Sequence, residues 1–154
     1  MVWHKTNPAP KIYKAGFLNS CELIICAWNK GHTWNFISQK EMHNFIETSI
    51  CMGNERIKDP HHSTQKSLKV LKHIIRIATN QGDTVFDPFM GVGSTGIAAQ
   101  EMDRKFIGFE IDEKYFNASQ KRLKNSQPNL LLVGEQREKY KTKKSEKHKQ
   151  KFKK

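Results

Sequence analysis

A chain of 154 residues and 17.9 kDa is long enough for one domain with a core of its own, and its 36% hydrophobic content and net charge of +12 make it basic and poor in apolar residues. The longest apolar run, Leu23 to Trp28, is far too short for a bilayer, and Met1-Val-Trp-His-Lys5 lacks the apolar core of a signal peptide. Cys21, Cys26 and Cys51 form no C-x-x-C pair and the seven histidines do not fall at zinc-ligand spacings, so the expectation is reduced thiols, no metal and a cytoplasmic location.

The first segment, Val2 to Pro10, reads as a short strand ending in a proline-fixed turn, and Cys21 to Trp28 as a buried strand. The mixed stretch Lys11 to Ser20 lets the two form a hairpin with a long connection, closed by Asn29-Lys-Gly31. From His32 to His61 the periodicity is poor. Two readings stay open there: an irregular packing segment, or a DNA-facing insert whose aromatics, His43, Asn44, Asn54 and Arg56 stack on and bond to bases. Next comes a helix with Ser63 or Thr64 as its N-cap; Leu68, Leu71, Ile75 and Ala78 recur at helical spacing, and Val70, Ile74 and Ile77 widen the apolar face.

Thr84-Val-Phe86 is a short buried strand, Gly93 to Met102 a helix, Lys105 to Ile111 a second strand and Glu113 to Leu123 an amphipathic helix. Leu130 to Val133 reads as a last strand. This alternation predicts an α/β fold with a parallel sheet and helical crossovers. The expected divisions are a strand hairpin over 1–29, the irregular segment with a possible target-recognition role over 30–61, a cofactor-binding α/β half over 62–134 and a basic disordered tail over 135–154. In that tail ten Lys and Arg face only Glu138 and Glu146 from Arg137 onward, leaving +8 of the net charge there. Such a run either solubilises the chain or contacts nucleic-acid phosphates.

The stretch Asp83 to Ala99 carries the chemistry. Gly91, Gly93 and Gly96 satisfy G-x-G-x-x-G between a strand and a helix, and Glu110 follows Gly91 by 19 residues at the end of the next strand. Glycines admit a ligand close to the backbone and the carboxylate can accept ribose hydroxyls, which fits a nucleotide cofactor of some kind. Asp87 narrows the choice. A carboxylate at the strand tip opposes a dinucleotide's pyrophosphate but favours the ammonium and sulfonium of S-adenosylmethionine. Taken alone, Asp87 before Pro88 would serve as a turn initiator.

Asp87-Pro-Phe-Met-Gly-Val-Gly-Ser-Thr-Gly96 resembles motif I, D-P-F-x-G-S-G-T-T, of the DNA methyltransferases that modify exocyclic amino groups. Phe106 to Tyr115, with Ala118 and Arg122-Leu123, resembles the segment that follows it. His62-Ser-Thr-Gln-Lys-Ser67 resembles motif X, H-P-T-Q-K-P, and its place before motif I implies the permuted β-type arrangement. Trp3 to Pro8 and Asn19 to Glu22 are similar to the stretch before the target-recognition region.

The resemblance implies a Rossmann-like methyltransferase fold, S-adenosylmethionine as cofactor, double-stranded DNA as partner and methyl transfer to an amino group, adenine's by overall resemblance and cytosine's as the alternative. It implies that Asp87 and Phe89 line the methionine and adenine sides, that Gly91 and Gly93 admit the cofactor, that Glu110 holds the ribose, and that Thr64 and Lys66 close over the methionine end. Ser94 and Thr95 belong to the same loop. Ser63 and Ser67 replace the two prolines of motif X, Val92 the usual serine and Ser94 a threonine; Ser94 keeps a hydroxyl that Val92 loses.

The family's catalytic Asp/Asn-Pro-Pro-aromatic tetrapeptide is absent from these 154 residues; Asp59-Pro60-His61 and Asp87-Pro88-Phe89 do not match it. In the permuted order it belongs before Trp3. The expectation is therefore the C-terminal part of a split or truncated enzyme, lacking the central strands, which either assembles with an N-terminal chain carrying the tetrapeptide or is an inactive cofactor- and DNA-binding remnant. The first strand of the cofactor half should then expose an apolar edge and side. A nicotinamide-dependent oxidoreductase is the third reading, and Asp87 argues against it.

Overall fold

The computed structural model describes residues 1–11, 16–32 and 34–126, so the basic tail and the expected strand Leu130 to Val133 lie outside the described residues. Among the described residues two small sheets, rather than one continuous sheet, make up the α/β fold. The first contains β1 (Val2–Lys5), β2 (Cys21–Leu23) and β3 (Phe45–Thr48). Its order is β2-β1-β3: β1 runs antiparallel to β2, with Trp3 opposite Glu22, and parallel to β3, with Trp3 opposite Ile46. The second pairs β4 (Thr84–Asp87) with β5 (Lys105–Gly108) in parallel, Val85 opposite Phe106 and Asp87 opposite Gly108.

Helix α1 (Leu68–Ala78) joins the sheets by dividing its apolar residues between them. Val70 and Ile74 pack with Trp3, Ile46, Met1 and Ile24. Leu68, Leu71 and Ile75 pack with Ala98, Ala99, Val85, Met102 and Phe106. The width of apolar surface visible in the sequence is thus two stripes, each serving a different cluster. Helices α2 (Ser94–Gln100) and α3 (Glu113–Ser126) complete the second half.

Several expectations are corrected. The apolar run Cys21 to Trp28 is not a buried strand: only Cys21–Leu23 forms strand, its pairing reaching Ile24 through Met1, and Leu23, Ile25 and Trp28 are 82%, 94% and 61% exposed. Apolar composition gave the type of element but not a neighbour to cover it. The helix after His62 starts at Leu68, with Ser67 as its N-cap residue and no side-chain cap from its own sequence. Its free backbone N–H is instead taken from a distance, because Glu55 Oε1 accepts from Leu68 N at 2.5 Å.

Glu55 belongs to the stretch expected to be irregular. That stretch contains β3 and a single 3-10 turn, Gly53–Glu55, and is bolted to motif X through Gln65, whose Oε1 accepts from Ile57 N at 2.9 Å and whose Nε2 donates to Glu55 O at 2.7 Å.

The second sheet has one covered face. Val85 and Phe106 turn toward α1 and α2, while Phe86 and Ile107, opposite each other on the other face, are 59% and 51% exposed. Among the described residues nothing pairs with the free edge of β4.

Candidate cofactor site

The candidate site forms where β4 and β5 end. Asp87 Oδ1 accepts from Phe89 N at 3.0 Å, so the side chain initiates the turn that starts the glycine loop. The ladder then continues irregularly: Phe109 N donates to Asp87 O at 3.0 Å and Met90 N to Phe109 O at 2.9 Å. Gly91 and Gly93 take φ values of 52° and 79°, the left-handed region in which a side chain is strained. Space is short as well. A Cβ on Gly93 would come within 3.0 Å of the Ser119 Cβ, and one on Gly96 within 2.6 Å of both Leu123 and Phe106. The third glycine therefore lets α2 settle onto β5 and α3.

Glu110 stands across the loop. Its Oε2 accepts from Gly91 N at 2.8 Å and its Oε1 from Asp112 N at 2.9 Å, leaving a lone pair on each oxygen for a further donor. Ser94 and Thr95 open α2; Ser94 is buried, with Arg122 Nη1 donating to its Oγ at 3.4 Å and also to Val92 O. Burial pushes the Arg122 pKa down, while the charges of Cys51 and Glu55 act in the opposite sense. Phe89 projects outward, 88% exposed.

The structure therefore brings Asp87, Phe89, Gly91, Gly93, Ser94, Thr95 and Glu110 to one loop. The motif X residues divide. Thr64 is exposed, and Lys66 Nζ is committed to Glu22 at 2.7 Å and lies 5.9 Å from the Trp3 ring centroid. Lys5 Nζ holds the other Glu22 oxygen at 3.1 Å. Burial opposes ionisation of Glu22, but the two lysines prevail and hold its pKa below the usual value. Lys66 thus fastens motif X to the hairpin.

Two residues with no assigned role in the sequence reading emerge. One is Arg122, which clamps Val92 and Ser94; the sequence offers it only as part of the segment resembling the one after motif I. The other is His62, whose ring lies against Gly91 and makes an edge contact with Tyr115, centroids 4.6 Å apart. Among the described residues no group of three or more His, Cys, Asp or Glu could hold a metal ion, and no helix is long and apolar enough to cross a membrane.

A glycine loop between an acidic strand tip and Glu110, two residues past the end of the next parallel strand, lies in a Rossmann-like methyltransferase fold. The family model described as DNA methylase, N6_N4_Mtase, matches residues 1–121. The chain belongs to that family.

It is 36% identical over 143 residues to the Type II methyltransferase M.HinfI of Haemophilus influenzae, covering 84% of this chain and 40% of that one. It is 33% identical over 132 residues to the Type II methyltransferase M2.DpnII of Streptococcus pneumoniae, covering 80% and 49%. The solved structure of an M1.HpyAVI–SAM complex aligns with a TM-score of 0.66 at 38% identity, covering 80% of this chain and 60% of that one. The chain therefore spans less than half the length of the two Type II methyltransferases it matches.

Proposed function

We propose that the chain is the cofactor-binding part of a site-specific DNA methyltransferase that moves a methyl group from S-adenosylmethionine to the exocyclic amino group of adenine in DNA. The observation that carries this reading is the meeting, at the end of β4, of the Asp87 carboxylate, a loop turned by two positive-φ glycines, and Glu110, which binds the Gly91 N–H and keeps acceptor capacity. The residues fit the cofactor. Glu110 retains acceptor capacity for ribose hydroxyls, the Asp87 carboxylate suits a cationic amino-acid end, and the exposed Phe89 ring offers a surface for the adenine.

When bound, the cofactor supplies the electrophilic methyl group. This chain binds and orients it. The base pocket, with its Asp/Asn-Pro-Pro-aromatic tetrapeptide, would come from the portion of the relatives that these residues do not span, on the same polypeptide or on a partner chain. The open face of the second sheet, with Phe86, Ile107 and the 60% exposed Phe109, is where that portion would pack. Support for adenine over cytosine comes from overall resemblance.

Calorimetry tests the cofactor: S-adenosylmethionine binds and a nicotinamide dinucleotide does not, and the reverse overturns the reading. Methyl transfer to DNA is then measured with the 154 residues alone and with a tetrapeptide-bearing chain added. A monodisperse monomer that methylates DNA unaided refutes the dependence on further residues.

A further inference from the structure

His62 occupies a place that its sequence position does not explain. Its Nε2 and Cε1 lie 2.9 and 3.2 Å from where a Cβ on Gly91 would stand, so the imidazole fills the space a side chain would take. On its other side the Tyr115 ring packs edge-on at 79°, and the Tyr115 hydroxyl donates to His61 O at 3.3 Å, tying α3 to the same segment. Nδ1 is buried without a hydrogen-bond partner. A buried, unpaired ring nitrogen costs free energy, so this position is held by packing rather than by its own bonding.

What the ring presses on is the residue whose N–H reaches Glu110. If Gly91 leaves φ 52°, its N–H turns away and the Glu110 carboxylate loses one of its two anchors.

Resting on the cofactor reading above, we propose that His62 is a positioning residue: its neutral ring, wedged between Gly91 and Tyr115, holds Gly91 in the left-handed conformation that places Glu110 for the cofactor. The ring acts through the loop and need not touch the ligand. It also makes the loop sensitive to protons. The groups around it are Glu110 after β5, Tyr115 on α3, Arg56 after the 3-10 turn, and His61 and Lys66 on its own segment. Burial pushes its pKa below the ordinary value of 6.5, Glu110 opposes this, and Lys66, Arg56 and His61 add to it. The loop with the ring wedged in place therefore binds fewer protons than one with the ring released to water. Its advantage is complete above the ordinary histidine range and declines as pH falls through it.

The test uses the full chain with His62→Ala and His62→Phe, reading two quantities: affinity for S-adenosylmethionine between about pH 5 and 8, around the histidine range, and hydrogen exchange of the Gly91 amide without ligand. His62→Ala is expected to unprotect the Gly91 amide and weaken binding about tenfold, as when only one loop in ten is competent. His62→Phe, which keeps the wedge and removes the titration, is expected to retain protection and affinity while flattening the pH profile. Unchanged Gly91 exchange in His62→Ala, or a pH profile surviving in His62→Phe, overturns the proposal. A wild-type chain that binds no S-adenosylmethionine, yet loses Gly91 protection in His62→Ala, overturns the cofactor reading and upholds the role of His62 in the loop.

Discussion

Around β1 the packing is built on one large side chain, whereas around β4 it is built on missing ones. Trp3, 3% exposed, is the centre of a cluster with Ile46 and Val70, and two lysines stand over its ring. In the second half Gly96, Ala98 and Ala99 are buried, and the Phe106 and Leu123 side chains press so closely on Gly96 that a single Cβ would collide. Side-chain packing of the first kind gives stability and can accept a new neighbour. Packing of the second kind lets neighbouring side chains rest directly on glycine backbone, at the expense of tolerance to any added atom. Helix α1 serves both, with Val70 and Ile74 turned to one cluster and Leu71 and Ile75 to the other.

Because one helix belongs to both halves, they should unfold together. Trp3→Ala is expected to cost about 3–5 kcal/mol, the usual range for losing a large buried aromatic, and to shift a single urea transition seen both by far-ultraviolet circular dichroism and by the Gly91 amide. Two separated transitions would show that α1 does not couple the sheets. Gly96→Ala is expected to cost about 1–3 kcal/mol by overpacking, and to weaken cofactor affinity in calorimetry as α2 is pushed off β5. An unaltered affinity would mean that the second half is as forgiving as the first.

The smallest effect belongs to the hinge between hairpin and motif X. Glu22 has its pKa lowered by Lys66 and Lys5, so its contribution to stability is present above the unfolded value of 4.5 and is lost as pH falls through the lowered one. Glu22→Gln should remove that dependence, flattening stability below pH 4.5 in acid titration monitored by fluorescence. A slope equal to wild type would mean that the lysines hold the hairpin without Glu22.

Much of the second half was legible in the sequence because its determinants are local. Positive φ at Gly91 and Gly93, a turn-initiating Asp87 and a strand–loop–helix order each follow from a few adjacent residues. The boundaries of β4 and α2 accordingly fall close to where the pattern puts them. The first half was less legible. A run such as Cys21 to Trp28 states that residues are apolar, but burial depends on what lies against them, and here Ile25 remains 94% exposed. The N-terminus of α1 misled for the same reason: Ser63 and Thr64 are plausible local caps, yet the Leu68 N–H is answered by Glu55, thirteen residues earlier.

By itself, then, the sequence determined the glycine loop: which residues bend, which carry charge near the strand ends, and which family of folds such a loop serves. Tertiary structure decided how the loop is held. His62 against Gly91, Arg122 on Val92 and Ser94, and Lys66 on Glu22 join segments separated by 28 to 44 residues. Contacts of that kind leave no periodic trace in a sequence, because each requires only one side chain of suitable shape and charge at a point that folding brings near.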